Sequence, residues 1–526
     1  MVSSTHTFLY GEEELSCSRA LAIARGKVKG QLSEVARKRV RESQLVVEKI
    51  VEKGEAVYGI NTGFGPLCTT NISKAETKIL QTNILKSHSV GVGKPIKKEL
   101  AKLMLILKIH SLAKGYSGIA EETLNRILWH IENDAIPIVP SQGSVGASGD
   151  LAPLSHLFLP LIGLGKVIFE NEIVRTEVLF QKTGLKPLEL GPKEGLALIN
   201  GTQFIAAHAI KVVEKLHNCL SHADIIGAMM IEGLQGSIKP FYHELHSLRP
   251  FKGNIHVAER IKLLLKGSEI MENHIDCEKV QDPYSLRCIP QVHGASRNTW
   301  LHLKELVEIE LNSVTDNPII INEELTISGG NFHGQPLAMA LDYACLAASE
   351  LGNISDRRIY LALDGNSPGV PELLMENTGI NSGYMILQYT TAALASENKG
   401  LCFPSSADSI PTSMGQEDHV SMGSIAARKA LRVLGNLEKI LAIELLTATQ
   451  AFEFRKPLKS GILLDEAHKE VRKKVAFAKK DRVFADDIEK GIELVRNQTI
   501  IQRISQVCKK ENLTLQTTYS EEFENY

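Results

Sequence analysis

The chain has little that marks a secreted, membrane or nucleic-acid-binding protein. Its eight cysteines are scattered among 526 residues without one C-x-x-C pair, which fits reduced thiols in a reducing compartment. Neither charge is in excess: 59 basic against 61 acidic residues leave a formal net charge of −2. That balance provides no electrostatic footprint for nucleic acid or an anionic membrane. The longest apolar stretch, around Leu157 to Ile168, is too short to span a bilayer and carries Lys166. The opening Met1-Val-Ser-Ser-Thr-His lacks the charged and apolar regions of a signal peptide, so a soluble cytoplasmic protein is expected. No Pro/Gly/Ser-rich tract, long charge run or internal repeat divides the chain. One continuous body with subdomains is therefore expected, although length alone would allow about three or four domains.

What is present centres on Gly143-Ser-Val-Gly-Ala-Ser-Gly-Asp150. Ala147-Ser148-Gly149 are three small residues, and Gly149 accepts dihedrals that a Cβ forbids. In a compressed turn the Gly149 nitrogen can reach the Ala147 carbonyl carbon. Cyclisation with loss of water across Ser148 yields a five-membered ring bearing an exocyclic methylene, a carbon electrophile that ordinary side chains do not supply. The plainer reading is that Ser148 or Asp150 caps a helix beginning at Leu151. A phosphate cradle is disfavoured because no Lys-Ser or Lys-Thr pair follows the glycines.

Other landmarks admit plain readings when taken singly. Tyr58, in Val57-Tyr-Gly-Ile-Asn-Thr-Gly-Phe-Gly65, is a half-buried aromatic, His88 a structural histidine, and Asn200 of Asn200-Gly-Thr-Gln203 a helix-start residue. Gln281-Asp-Pro-Tyr-Ser-Leu-Arg-Cys288 reads as a polar turn before a helix, and Glu417 in Gln416-Glu-Asp-His-Val-Ser-Met422 as a helix-starting carboxylate. Two decoys are rejected. His243-Glu-Leu-His246 is not H-E-x-x-H and lacks an evident third ligand, so no metal is assigned. Gly365-Asn-Ser-Pro-Gly369 fits G-x-S-x-G, but Pro368 has no N–H for an oxyanion hole.

Together these segments, with Gly329-Gly-Asn-Phe-His333, make six motifs over roughly residues 10–500 that resemble the aromatic amino acid ammonia-lyases. The resemblance implies that Ala147-Ser148-Gly149 become 4-methylidene-imidazol-5-one (MIO), with no dissociable cofactor. It implies that Tyr58 is the general base, which requires its pKa to be depressed from about 10. It puts Asn200 and Tyr284 in the chemistry, and His88, Gln281, Phe332 and Glu417 around the substrate. Arg287 would pair the substrate carboxylate with its planar fork. The Asp282-Pro283 wording and Gln416-Glu-Asp-His419 match the histidine branch, although Gly415 stands where the family usually has Asn, and His88 falls where both histidine- and tyrosine-specific members place a histidine, which argues against phenylalanine. A carboxylate at Glu417 suits an imidazole, which offers N–H donors that phenyl lacks.

The implied fold is mainly α and fumarase/aspartase-like: an N-terminal domain over 1–204 carrying the loop, a long-helix bundle over 205–506, a few short strands, and a polar tail over 507–526. The apolar spacing of Leu434, Leu437, Leu441 and Leu445 agrees independently with a core helix. Gly165-Lys-Val-Ile-Phe and Ile173-Val-Arg-Thr read as a small hairpin around Glu170-Asn-Glu172, and residues 235–275 as polar and irregular. The implied reaction is deamination of L-histidine to trans-urocanate in a homotetramer with shared active sites. A tyrosine ammonia-lyase, an MIO-dependent aminomutase and a non-catalytic helical scaffold are the alternatives.

Overall fold

Five long helices form the body of the computed structural model, which describes residues 7–54, 57, 59–60, 62, 74–273 and 280–515. They are Gln203–Gly233, Ile289–Leu311, Gln335–Leu363, Met385–Leu401 and Gly423–Glu453. The Gln203 helix is buried along nearly its whole length, so it lies inside the bundle rather than on it. Its 31 residues make it roughly 45 Å long. Leu434, Leu437, Leu441 and Leu445 of the Gly423 helix are all buried. Truncating one of them to alanine costs about 2–5 kcal/mol. In the Gln335 helix Ala338, Ala344 and Ala348 are buried, and these small residues let neighbouring helices approach closely.

The bundle also buries charge. Asp224, in the second half of the Gln203 helix, accepts from Arg260 Nε and His293 Nδ1, each at 2.9 Å, and from Arg297. Burial alone would raise the Asp224 carboxyl, but Arg297, His293 and Arg260 outweigh it and hold the group well below the usual carboxylate range. Arg358 and Glu444 make a second buried pair, bidentate at 2.5 and 3.2 Å.

The chain before the bundle is built of short helices and strand pairs. Ser16 and Ser33 cap the Cys17–Ala24 and Glu34–Lys53 helices, and Gly54 ends the second at φ 74°. The hairpin read around Glu170-Asn-Glu172 pairs Lys166–Phe169 with Glu172–Arg175, and Ile136–Pro137 adds a third strand. The segment expected to be irregular, 235–275, instead contains the helix Lys252–Leu264. Its buried face mixes Val257, Ile261 and Leu264 with Asn254, His256 and Arg260. Polar residues that find partners inside the bundle interrupt the apolar stripe, which hid the helix from a periodicity reading. The last helix, Thr499–Lys510, carries the chain into the expected tail, of which 516–526 lie outside the described residues. Among the described residues no helix is long and apolar enough to cross a membrane.

Candidate active site

The Ser148 loop is clamped from two sides. Gly149 has φ +78°, and a Cβ there would lie 2.1 Å from the Gly201 carbonyl oxygen. Gly146 has φ +71°, with Ser421 Oγ at 2.2 Å from the same imagined atom. Both positions therefore need glycine for conformation and for space. On one side Asp150 N–H donates to Gly201 O at 2.7 Å, while Gly201 N–H and Asn200 Nδ2 donate to Ser148 O at 3.3 and 3.1 Å. On the other, Met422 N–H donates to Val145 O at 2.9 Å and Ser424 Oγ to Ser144 O at 2.5 Å.

Asp150 does stand at the start of the Leu151–Phe158 helix, but its side chain makes no cap hydrogen bond there. Its carboxylate reaches a different helix and accepts from Phe204 N–H and Ile205 N–H, both at 3.0 Å, in the first turn of the Gln203 helix. Complete burial pushes its pKa up to about 7 against the opposing Ile205, Ser144 and Phe204 donors. This bond ties the reactive loop to the bundle.

Ser148 Oγ donates to Glu417 Oε1 at 2.7 Å. The other oxygen of Glu417 accepts from Thr412 Oγ1 at 2.8 Å and Ser413 Oγ at 2.9 Å, so the carboxylate is aimed rather than free. His88 ends the Lys74–His88 helix, half-buried, with Nδ1 2.9 Å from Ser87 Oγ. Burial lowers its pKa, while the nearby Glu417 charge acts in the raising direction. Phe332 is half-buried on the loop where His333 stacks on His419 at 5.7 Å and Gly334 packs against Ile205 and Ser421. Ser148, Asn200, His88 and Glu417 thus gather at the start of the Gln203 helix, with the Phe332 loop beside them.

Three of the remaining expected residues, Gln281, Tyr284 and Arg287, lie elsewhere. Tyr58 falls outside the described residues. Gln281 and Tyr284 are exposed, Tyr284 to 71%, and the Arg287 guanidinium lies 4.5 Å over the Tyr284 ring. Asp282 between them accepts from Ser237 N–H at 2.6 Å, just past the end of the Gln203 helix. Within one chain that group is therefore at the opposite end of a helix roughly 45 Å long from Ser148.

A buried lysine was not expected. Lys108, in the Lys98–Leu112 helix, is 1% exposed and donates to the Asn200 carbonyl at 2.5 Å. Burial pushes its pKa down to about 7; Asp316 and Asp150 oppose this and Lys193 adds to it. Lys193 is held by Asp316 at 2.7 Å. The available signal was one cation inside the apolar run Leu103-Met-Leu-Ile-Leu-Lys-Ile109. Of the two decoys, His246 bonds Pro240 O at 2.9 Å and Ser367 Oγ donates to Leu234 O at 3.0 Å. Among the described residues no cluster of His, Cys, Asp and Glu is placed to hold a metal.

Known proteins resemble this chain along most of its length. A family model described as aromatic amino acid lyase matches residues 15–473. Histidine ammonia-lyase of Caldanaerobacter subterraneus subsp. tengcongensis is 43% identical over 503 residues, covering 95% of this chain and 98% of that one. The crystal structure of histidine ammonia-lyase from Trypanosoma cruzi superimposes with a TM-score of 0.89 at 37% identity, covering 99% of this chain and 98% of that one. Tyrosine aminomutase from Streptomyces globisporus gives 0.89 at 34% identity, over 95% and 99%. With a match spanning the reactive loop and most of the bundle, the chain belongs to the aromatic amino acid lyase family.

Proposed function

We propose that this chain eliminates ammonia from L-histidine to give trans-urocanate, as a cytoplasmic homotetramer with shared active sites. The observation that carries the specificity is the Ser148–Glu417 hydrogen bond with His88 alongside. A fixed carboxylate and an imidazole at the reacting loop suit a ring with N–H groups and leave a phenyl ring unpartnered. The names of the relatives, histidine ammonia-lyase among them, support the same reading.

The local residues fit the prosthetic group. Ala147 is small and buried, Gly149 is pressed by the Gly201 carbonyl, and Asn200 Oδ1 is buried without a partner among the described residues. Once formed from Ala147-Ser148-Gly149, MIO supplies an electrophilic methylidene carbon. The other residues bind and move protons. Asn200 Nδ2 and Gly201 N–H hold the Ser148 oxygen, Glu417 accepts from the substrate ring, and Tyr58 takes the β-proton. Arg287 pairs the substrate carboxylate, with Gln281, Tyr284 and Phe332 around it. The distance between Arg287 and Ser148 in one chain supports a site to which a second copy contributes the Arg287 group.

A tyrosine-directed lyase or aminomutase is the second reading, favoured by the likeness to tyrosine aminomutase. Purified protein incubated separately with L-histidine, L-tyrosine and L-phenylalanine separates them by the absorbance of the conjugated acid and by ammonia. Urocanate with matching ammonia from histidine alone is expected. Coumarate, or a β-amino acid without ammonia, would overturn the substrate assignment.

A further inference from the structure

The Ser148 carbonyl oxygen receives two N–H donors, and one of them is the far end of a polarised peptide. Gly201 N–H belongs to the same planar unit as the Asn200 carbonyl, and in a trans peptide these groups point in opposite directions. Lys108 Nζ donates to that carbonyl at 2.5 Å, and Gly201 N–H donates to Ser148 O at 3.3 Å. An ammonium at one end of a peptide strengthens the N–H at the other. Lys108 is 1% exposed and Asn200 is 3% exposed, so water does not weaken the relay. The same contact fixes the Asn200 backbone, and therefore the side chain whose Nδ2 is 3.1 Å from Ser148 O.

We propose that Lys108 is a positioning residue for ring formation at Ser148, acting through the Asn200–Gly201 peptide on the Ser148 carbonyl. The proposal rests on the reading of Ala147-Ser148-Gly149 as the precursor of the prosthetic group. In the first step the Gly149 N–Ala147 C bond forms. The Ala147 oxygen departs as water with the protons of Gly149 N and Ser148 N, leaving a C=N bond. In the second, Ser148 loses its α-proton and its Oγ hydroxyl as a second water, and the Cα–Cβ bond becomes double. As the α-proton leaves, negative charge develops on the Ser148 oxygen, where the two N–H donors stand. A donor aimed at developing charge accelerates the step that creates it.

The test is the mass of the peptide containing residues 147–149, followed with time after synthesis in the folded fraction of wild type, Lys108→Arg, Lys108→Gln and Lys108→Met. Folding is checked by size and far-UV circular dichroism. In wild type the peptide becomes two waters light. Loss of the charge in the Gln and Met variants should slow this by about tenfold or more, the factor set by one charge-assisted hydrogen bond. Arg should restore the rate to within about threefold, because it keeps the charge. Folded Gln or Met protein that matures as fast as wild type overturns the role of Lys108. So does the failure of both to fold while Arg folds, which makes Lys108 a folding residue. A wild-type peptide that stays at full mass sinks the underlying reading instead.

Discussion

The two ends of the Gln203 helix present opposite kinds of surface. At its start, Asp150 holds the first-turn N–H groups, Asn200 and Gly201 hold the Ser148 oxygen, and Ala147 is 6% exposed. The Asp150 carboxylate and the Ser148 carbonyl have partners within the chain, while the buried Asn200 Oδ1 and Gln203 Oε1 have no hydrogen-bond partner among the described residues. Beyond its end, Tyr284 is 71% exposed, Val280 is 99% exposed, and Arg287 has its ring contact with Tyr284 but no partner for the buried Nε among the described residues. The first end is organised for chemistry within the chain. The second offers an aromatic ring and a cation outward, groups of the kind enriched where proteins meet. Under the proposed function these two groups, which one chain keeps apart, form one site by assembly.

The comparison can be broken first at the Ser148 end. Ser148→Ala should lower kcat by about 10³-fold or more, at least ~4 kcal/mol of barrier, and abolish the two-water mass deficit. Retained turnover would mean that Ser148 is not the source of the electrophile. At the other end, Arg287→Ala should raise KM by about 10–100-fold through loss of a bidentate carboxylate contact. Co-expression of Ser148→Ala with Arg287→Ala sharpens the contrast. If each site takes one half from each of two chains, random mixing leaves roughly a quarter of sites with both halves intact. Activity no higher than that of Arg287→Ala alone would place both halves in one chain.

Between the two ends of the same helix, Asp224→Ala leaves Arg260 and Arg297 buried without their carboxylate. The expected cost is about 3–5 kcal/mol, read as a lower midpoint of thermal unfolding with the reactive loop still mature in the folded fraction. A further effect is on pH dependence. Burial pushes His208 and His222 of this helix, and His130, down to about 4. The native state then binds fewer protons than the unfolded chain between about pH 4 and 6.5, so stability rises with pH across that window and is lost on acidification. Each such imidazole contributes about 1.4 kcal/mol per pH unit there. Unfolding midpoints that stay flat from pH 6.5 to 4.5 would show that these rings titrate normally.

The legible parts of the fold are those whose signal is local. The Leu434, Leu437, Leu441 and Leu445 spacing identified the Gly423 helix, and the turn residues around Glu170 identified a hairpin. The glycines of the reactive loop were legible for the same reason, since positive φ at Gly146 and Gly149 is a property of the residue itself. The Lys252 helix was not legible, because polar residues stand on its buried face, among them Arg260, whose carboxylate partner Asp224 is distant in sequence. Asp150 misled a capping rule that looks only three residues ahead, because its acceptors serve a helix more than fifty residues later.

The chain's own residues determined the helical class and the small-residue loop, while the chemistry proposed for that loop and the preference for an imidazole came from the resemblance to a family. The first two follow from periodicity and from side-chain size, both of which act over a few residues. Tertiary structure alone decided that Lys108 stands behind Asn200, that Glu417 is bonded to Ser148, and that Arg287 is far from both. Those outcomes depend on the direction and length of buried helices, which set the distance between residues regardless of what either residue is.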